Sequence, residues 1–356
     1  MAAKHLIDLS DLEQGKVNAI IDLACKIKEN PQQYQDVCRG KIMATLFYEP
    51  STRTQMSFKT AMLRLGGEVI GFDNPQNSSV SKGESLKDTI RIVGGYADII
   101  VIRHPSEGCA KAAAYHSNVP LINAGDGGHL HPTQTLTDLV TLHLEKGTLE
   151  NLTIGLCGDL KYGRTVHSLI KSMCRHHTKF ILISTRELTV PQYLKDLMNA
   201  SGCSYQEIYS LEEALPMLDV LYMTRIQGER FSSREEYERQ KSVYVLDRRK
   251  MSLAKKDMVV LHPLPRVDEI TDEVDEDPRA AYFRQAVNGM YARMALILTM
   301  LQDPQTGSSI HFNRVYPSIA CTNPKCITQS EGYLPKSFSE SGDMLVCDYC
   351  DQRILI

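Results

Sequence analysis

Short apolar runs alternate with helical stripes twice along this chain, and that rhythm leaves few folds open to it. Ile42–Phe47 reads as a buried strand, after which Phe58, Ala61, Met62 and Leu65 recur at helical spacing until Gly66 and Gly67 stop them. Residues 69–72, 99–102 and 120–124 are expected strands, with helices near 85–93 and 109–116 between them. Leu136, Leu139, Val140 and Leu144 then mark a helix ending near Gly147. The pattern restarts with a strand at 153–157 and a helix on Val166, Leu169, Ile170 and Met173. Strands at 180–183, 219–223 and 258–261 follow, then a long helix at about 278–301. Near the start, Ser10 and Glu13 stand at capping-box spacing ahead of the stripe Val17, Ile20, Ile21 and Ala24. Such alternation implies right-handed crossovers and parallel sheets covered on both faces. The expected class is α/β, with two doubly wound parallel-sheet domains split near residue 148. Periodicity leaves the last long helix free to join either one.

Composition narrows the function. The 356 residues carry 40 Lys plus Arg against 43 Asp plus Glu, a net charge of −3. That balance argues against a broad nucleic-acid surface or a polybasic membrane patch. No apolar run reaches the roughly 18 residues of a membrane span. The opening MAAKHLIDLS does not read as a secretion signal, so a cytoplasmic location is expected and a disulfide framework is not.

In parallel sheets, ligands bind beyond the carboxyl ends of the strands. There the chain places Ser51-Thr52-Arg53-Thr54, then Arg103, then Gly127-Gly128-His129-Leu130-His131-Pro132-Thr133-Gln134. In the second half come Tyr162-Gly163-Arg164-Thr165, Thr224-Arg225-Ile226-Gln227 and His262-Pro263-Leu264-Pro265-Arg266. Each loop alone also reads as an ordinary helix cap or αβ turn. Six together, with cationic or amide side chains, read as a cleft for two small anions, one of them a phosphate compound. The polar loop 74–84, with Ser79 and Lys82, reads as a lid.

The cysteines are unevenly spread. Four of ten lie in the last 36 residues, as Cys321-x4-Cys326 and Cys347-x2-Cys350. Two close pairs separated by 20 residues read as a structural zinc site of four thiolates, ahead of buried free thiols, redox disulfides or a rubredoxin-like iron site. A segment of some 40 residues with few large apolar side chains needs such a staple to fold.

Taken in order, the loop motifs resemble those of aspartate carbamoyltransferase catalytic chains over about residues 1–305. The cysteine-rich tail is similar to the zinc domain of that family's regulatory chain. Ornithine carbamoyltransferases share the Ser-Thr-Arg-Thr turn but differ at the His-Pro-Leu-Pro segment. The resemblance implies an active site between the two α/β domains and a small C-terminal zinc-binding β domain. It divides the chain into a carbamoyl phosphate-binding domain, 1–147, completed by a helix at about 287–303, an aspartate-binding domain, 148–286, and a zinc domain, 310–356. Ser51, Thr52, Arg53 and Thr54 would hold the phosphate of carbamoyl phosphate. Thr54, Arg103 and His131 would face the carbamoyl oxygen, and Gln134 and the Leu264 carbonyl the amide, with Pro265 after a cis bond. Arg164, Arg225 and Gln227 would bind the carboxylates of aspartate. Ser79 and Lys82 would enter from a neighbouring subunit of a homotrimer, Lys82 serving both substrates. Ser81 stands where some members carry a second lysine, and Gly228 where some carry a lysine. Glu49 would pair with Arg164 and Arg230 to hold the domains closed. The implied activity is carbamoyl transfer to aspartate in pyrimidine biosynthesis. Another amino acid such as ornithine, or a non-catalytic assembly subunit docking through its zinc tail, is the alternative. The implied cofactor is one structural Zn2+ per chain held by Cys321, Cys326, Cys347 and Cys350, with no organic cofactor. The implied partners are the two substrates and copies of the chain, with further assembly through the zinc domain open, and neither nucleic acid nor membrane. No counterpart of the regulatory chain's nucleotide-binding domain remains, so no allosteric response of that kind to nucleotides is expected.

Overall fold

The computed structural model describes residues 4–226, 233–240, 243–303, 306–312 and 314–355. Two compact units emerge. One takes the chain up to Leu136 and again from Met290 onward; the other is Thr137–Gly289.

In the first unit, β1 (Ile42–Phe47), β2 (Glu68–Phe72), β3 (Ile99–His104) and β4 (Leu121–Asp126) form a parallel sheet in the order β2-β1-β3-β4. β1, β3 and β4 are almost wholly buried and mostly apolar up to their carboxyl ends, as strands covered on both faces must be. The helices α2 (Thr52–Arg64), α3 (Leu86–Gly94) and α4 (Cys109–His116) connect them, while α1 (Gln14–Glu29) precedes β1 and α5 (Pro132–Lys146) follows β4. After β2 the chain returns past β1 to build β3. The direction of strand order therefore reverses between β1 and β3, and this switch point opens a crevice at their carboxyl ends.

The second unit repeats the plan. β5 (Thr153–Cys157), β6 (Lys179–Ile183), β7 (Tyr205–Ile208), β8 (Val220–Met223) and β9 (Val259–Leu261) run parallel in the order β7-β6-β5-β8-β9. Its switch point lies between β5 and β8. The helices are α6 (Arg164–Met173), α7 (Gln192–Ala200), α8 (Leu211–Ala214), α9 (Arg234–Gln240), α10 (Arg248–Met251) and the long α11 (Tyr282–Gln302). The chain changes unit within α5 and again within α11.

The tail forms a four-stranded antiparallel sheet of β10 (Arg314–Val315), β11 (Ser337–Ser341), β12 (Met344–Cys347) and β13 (Arg353–Leu355). It belongs to the first unit. Phe338, Leu345, Tyr349 and the four tail cysteines share one apolar core with Leu86, Ile90, Cys109, Ala112 and Ala113 of α3 and α4.

Two local expectations change. The capping box forms at Asp8 and Asp11 on the turn Leu9–Asp11, where Asp8 accepts from Leu9 N (2.7 Å) and Asp11 from Asp8 N (2.9 Å). Ser10 donates its hydroxyl to Asp8 (2.7 Å), and α1 starts after Glu13 with no side-chain cap. The edge strand β7 is absent from the sequence reading because Gln206 and Glu207 leave it half exposed, without an apolar run. Among the described residues no helix is long and apolar enough to cross a membrane.

Candidate active site

The first switch point gathers the Ser51–Thr54 turn and Arg103. Phe47 is paired with Arg103 across β1 and β3, and Tyr48 N donates to the Arg103 carbonyl at 2.8 Å. Ser51 is the N-cap of α2, yet its side chain makes no capping hydrogen bond. The first-turn N–H groups of α2 therefore lack the usual hydroxyl partner, and the helix dipole favours an anion there. Thr52 and Arg53 are exposed, and Thr54 is buried.

Arg103 is buried, 9% exposed. Its Nη1 lies 3.3 Å from the Ala124 carbonyl and 3.5 Å from Nε2 of His131, itself 7% exposed. Nη2 lies 2.9 Å from Glu49 Oε2, a partner for Glu49 that the resemblance did not name; Arg230 falls outside the described residues. Burial pushes the Arg103 pKa down, and Glu49 acts against that. Partial burial also lowers Arg53, and the Arg103 charge adds to it. Two guanidinium groups that repel each other beside an open helix N-terminus form a site for an anion. His131 precedes Pro132, the first residue of α5, and half-buried Gln134 follows in the first turn. Ser79 and Lys82 lie exposed on the short 3-10 turn Ser79–Lys82 after β2.

The adjoining His104 is half-buried, and its Nδ1 accepts from Ser106 N at 2.9 Å. Burial lowers its pKa to about 4, although Asp126 acts in the opposite sense. The unfolded imidazole, near 6.5, takes up its proton first, so this contribution to stability is complete above about pH 6.5 and is lost as pH falls toward 4. The loss is expected to reach roughly 2–3 kcal/mol. Urea unfolding of wild type and His104→Asn at pH 8 and pH 5 measures it. Equal pH dependence in the two proteins contradicts the assignment.

The second switch point holds Arg164, first residue of α6 after β5, and Arg225, two residues past β8; both are half-buried. The two loops touch. Thr224 N donates to Cys157 O at 2.8 Å, and a Cβ on Gly158 (φ +118°) would stand 2.3 Å from the Thr224 carbonyl oxygen. Only glycine permits that approach. Gln227 lies outside the described residues. After β9, Leu264 (φ +51°) precedes a cis bond to Pro265.

Sequence reasoning singled out the His262 segment but missed most of the groups that hold these loops. His262 Nδ1 accepts from Leu264 N (2.8 Å), so its proton is on Nε2, donated to Glu269 (2.7 Å). Gln285 accepts from His262 N (2.9 Å) and donates to Asp138 (2.7 Å), which also accepts from Tyr222 (2.9 Å). In the first unit, buried Arg293 of α11 donates to Ser57 of α2 (3.1 Å) and Thr133 of α5 (3.4 Å), tying α2 to the helix behind His131. Only His262 and Thr133 stood in motifs the sequence singled out; Asp138, Gln285 and Arg293 carried no signal, because each acts through a contact distant in the chain.

Residues 4–144 match the family model of the aspartate/ornithine carbamoyltransferase carbamoyl-P binding domain, and 150–300 that of the Asp/Orn binding domain. The chain belongs to this family. Aspartate carbamoyltransferase catalytic subunits of Clostridium novyi and Clostridium perfringens (strain ATCC 13124) are 58% and 61% identical to it. Each match covers 85% and 84% of this chain, and 99% and 98% of the relative. The solved catalytic subunit of M. jannaschii aspartate transcarbamoylase is 47% identical with a TM-score of 0.80, covering 84% of this chain and 98% of that one. Aspartate transcarbamoylase from Trypanosoma cruzi, in complex with carbamoyl phosphate and aspartate, is 39% identical with a TM-score of 0.78, covering 84% and 97%. The chain is a carbamoyltransferase.

Residues 313–355 match the metal binding domain of the aspartate carbamoyltransferase regulatory chain. In this carbamoyltransferase the four tail sulfurs lie within 4.8 Å of one another and are buried. Cys321 and Cys350 are 3.6 Å apart and Cys326 and Cys347 3.9 Å, far beyond a disulfide bond of about 2.05 Å. A tetrahedron with metal–sulfur bonds of about 2.3 Å has edges of about 3.8 Å, so the cluster fits one metal ion.

Proposed function

We propose that this carbamoyltransferase transfers the carbamoyl group of carbamoyl phosphate to the α-amine of L-aspartate, giving N-carbamoyl-L-aspartate and phosphate for pyrimidine biosynthesis. The observation that carries this reading is the pairing of Arg53 with buried Arg103 at the uncapped start of α2, beside His131. Carbamoyl phosphate brings its own leaving group, and the amine of aspartate is the nucleophile, so the reaction needs no covalent enzyme intermediate and no organic cofactor. The protein aligns two anions, screens their repulsion and stabilises the tetrahedral oxyanion.

The roles are those that the resemblance to the family implies. Ser51, Thr52, Arg53 and Thr54 hold the phosphate. Thr54, Arg103 and His131 receive the developing oxyanion, while Gln134 and the Leu264 carbonyl before Pro265 hold the carbamoyl amide. Arg164, Arg225 and Gln227 bind the dicarboxylate, for which guanidinium forks are suited. Ser79 and Lys82 serve the site of a neighbouring subunit in a homotrimer. Their exposure supports this, as do Met56 (62% exposed) and Leu63 (57%) on α2, apolar side chains that a partner would cover. The metal is zinc, structural because four thiolates leave no open position. Ten unpaired cysteines accord with a cytoplasmic location.

Product analysis with carbamoyl phosphate and either aspartate or ornithine tests the reading. Aspartate is the expected acceptor, and preferential carbamoylation of ornithine overturns it. Arg164→Ala and Arg225→Ala are each expected to raise KM for aspartate by about 10–100-fold, the loss of one charge-assisted contact of roughly 1.5–3 kcal/mol. KM for carbamoyl phosphate should stay within a few-fold. An unchanged aspartate KM removes the residue from the site.

A further inference from the structure

His129 stands outside the proposed substrate contacts, two residues before His131. Its ring is clamped between two carboxylates. Nδ1 lies 3.2 Å from Asp126 Oδ2, and Nε2 lies 3.1 Å from Asp351 Oδ2. Its side chain is only 12% exposed. Burial alone would make the ring neutral, but the hydrogen bonds to Asp126 and Asp351 raise its pKa to about 10, so it is an imidazolium at neutral pH.

The two carboxylates have different duties. Asp126, 1% exposed at the end of β4, accepts from Leu130 N (2.9 Å) and Gly108 N (2.9 Å). It also closes the turn 126–130, with Asp126 N donating to Leu130 O (3.2 Å) and His129 N to Asp126 O (3.1 Å). The residue after that turn is His131. Asp351 belongs to the tail. It follows Cys350 directly, takes a left-handed conformation (φ +59°), and donates its N–H to the Cys347 carbonyl at 3.0 Å. Its place is thus set by the turn that presents two of the four sulfurs. The tail is pressed close at the same point. A Cβ on Gly108 would stand 2.5 Å from Tyr349 Cβ, and the Lys111 ammonium donates to the Asp348 carbonyl.

We propose that His129 is a positioning residue: held between Asp126 and Asp351, it sets the turn that presents His131, so that the metal module of the same chain tunes carbamoyl transfer. A cation shared by two carboxylates holds the turn from both sides. Loss of Asp351 frees the outer side, and His131 drifts from Arg103. The inference rests on the proposed role of His131, and its test separates the two.

The experiment uses the full chain with its metal bound, as wild type, Asp351→Asn, Asp351→Glu, His129→Asn and the double variant Asp351→Asn/His129→Asn. Each Asn variant is expected to lower kcat about 5–20-fold, with KM for aspartate within twofold. The double variant should match His129→Asn within twofold, because both act through one ring, and Asp351→Glu should recover at least half of wild-type kcat. Metal content should stay at one per chain. In protein labelled with 15N-histidine, the His131 ring signals should shift in Asp351→Asn while those of His262 stay in place. An unchanged His131 signal overturns the proposal, as do multiplying effects in the double variant or loss of metal from Asp351→Asn. If wild type lacks carbamoyltransferase activity, the functional reading fails, and the His131 signal alone decides the positioning role.

Discussion

Arg103→Ala is expected to lower kcat by about 10²–10³, the usual effect of removing one preorganised donor to a developing oxyanion. The effect is large because the guanidinium is already desolvated and held on three sides by Glu49, the Ala124 carbonyl and the His131 ring. No reorganisation is needed when charge develops on the carbonyl oxygen. Arg103→Lys keeps the charge but loses the fork that spans these partners, so it should recover only part of the activity. Some stability should be lost as well, since the Glu49 Oε2 left behind is itself buried. Steady-state kinetics with both substrates, alongside thermal unfolding, decide the matter. A variant within tenfold of wild-type kcat would remove Arg103 from the chemistry.

The second large effect concerns the metal. Cys326→Ser, or exhaustive chelation of the wild type, should release the ion and lower Tm by about 10 °C or more. Structural zinc supplies roughly 10–16 kcal/mol of apparent binding free energy to small modules. A unit of this size shifts by about 2–4 °C per kcal/mol. The loss should be smaller than in a free-standing zinc module, because Phe338, Leu345 and Tyr349 also pack into the core of α3 and α4. Proteolysis should then cut first within residues 310–356. Restoring zinc should reverse the change after chelation but not in Cys326→Ser. A Tm within 2 °C of the loaded protein after complete metal removal would show that packing alone holds the tail.

Much of the architecture is legible in residue order because it depends on short spacings. Ile42–Phe47 and Thr153–Cys157 are continuous apolar runs, and they form strands with those bounds. The four tail cysteines reveal their cluster because ligand spacing is itself local. The capping box failed at the same scale, since Ser10 gives its hydroxyl to Asp8 and leaves the box to two aspartates. Arg293, Gln285 and Asp138 were silent for another reason. A buried polar side chain has no periodicity, and its meaning lies in a partner as many as 236 residues away, as Ser57 is from Arg293.

The sequence by itself determined the kind of parts: parallel strands, crossover helices, cationic loops after the strands, and a thiolate cluster in the tail. Only the tertiary structure decided which loops meet. β1 pairs with β3 and β5 with β8, so Arg103 joins the Ser51–Thr54 turn and Arg225 joins the loop of Arg164. It also seated the tail on α3 and α4, bringing Asp351 to His129 across 222 residues of chain. Side-chain periodicity encodes which face of an element is buried. It says nothing of which neighbour buries it, because strand order and docking arise from contacts between segments far apart in the chain.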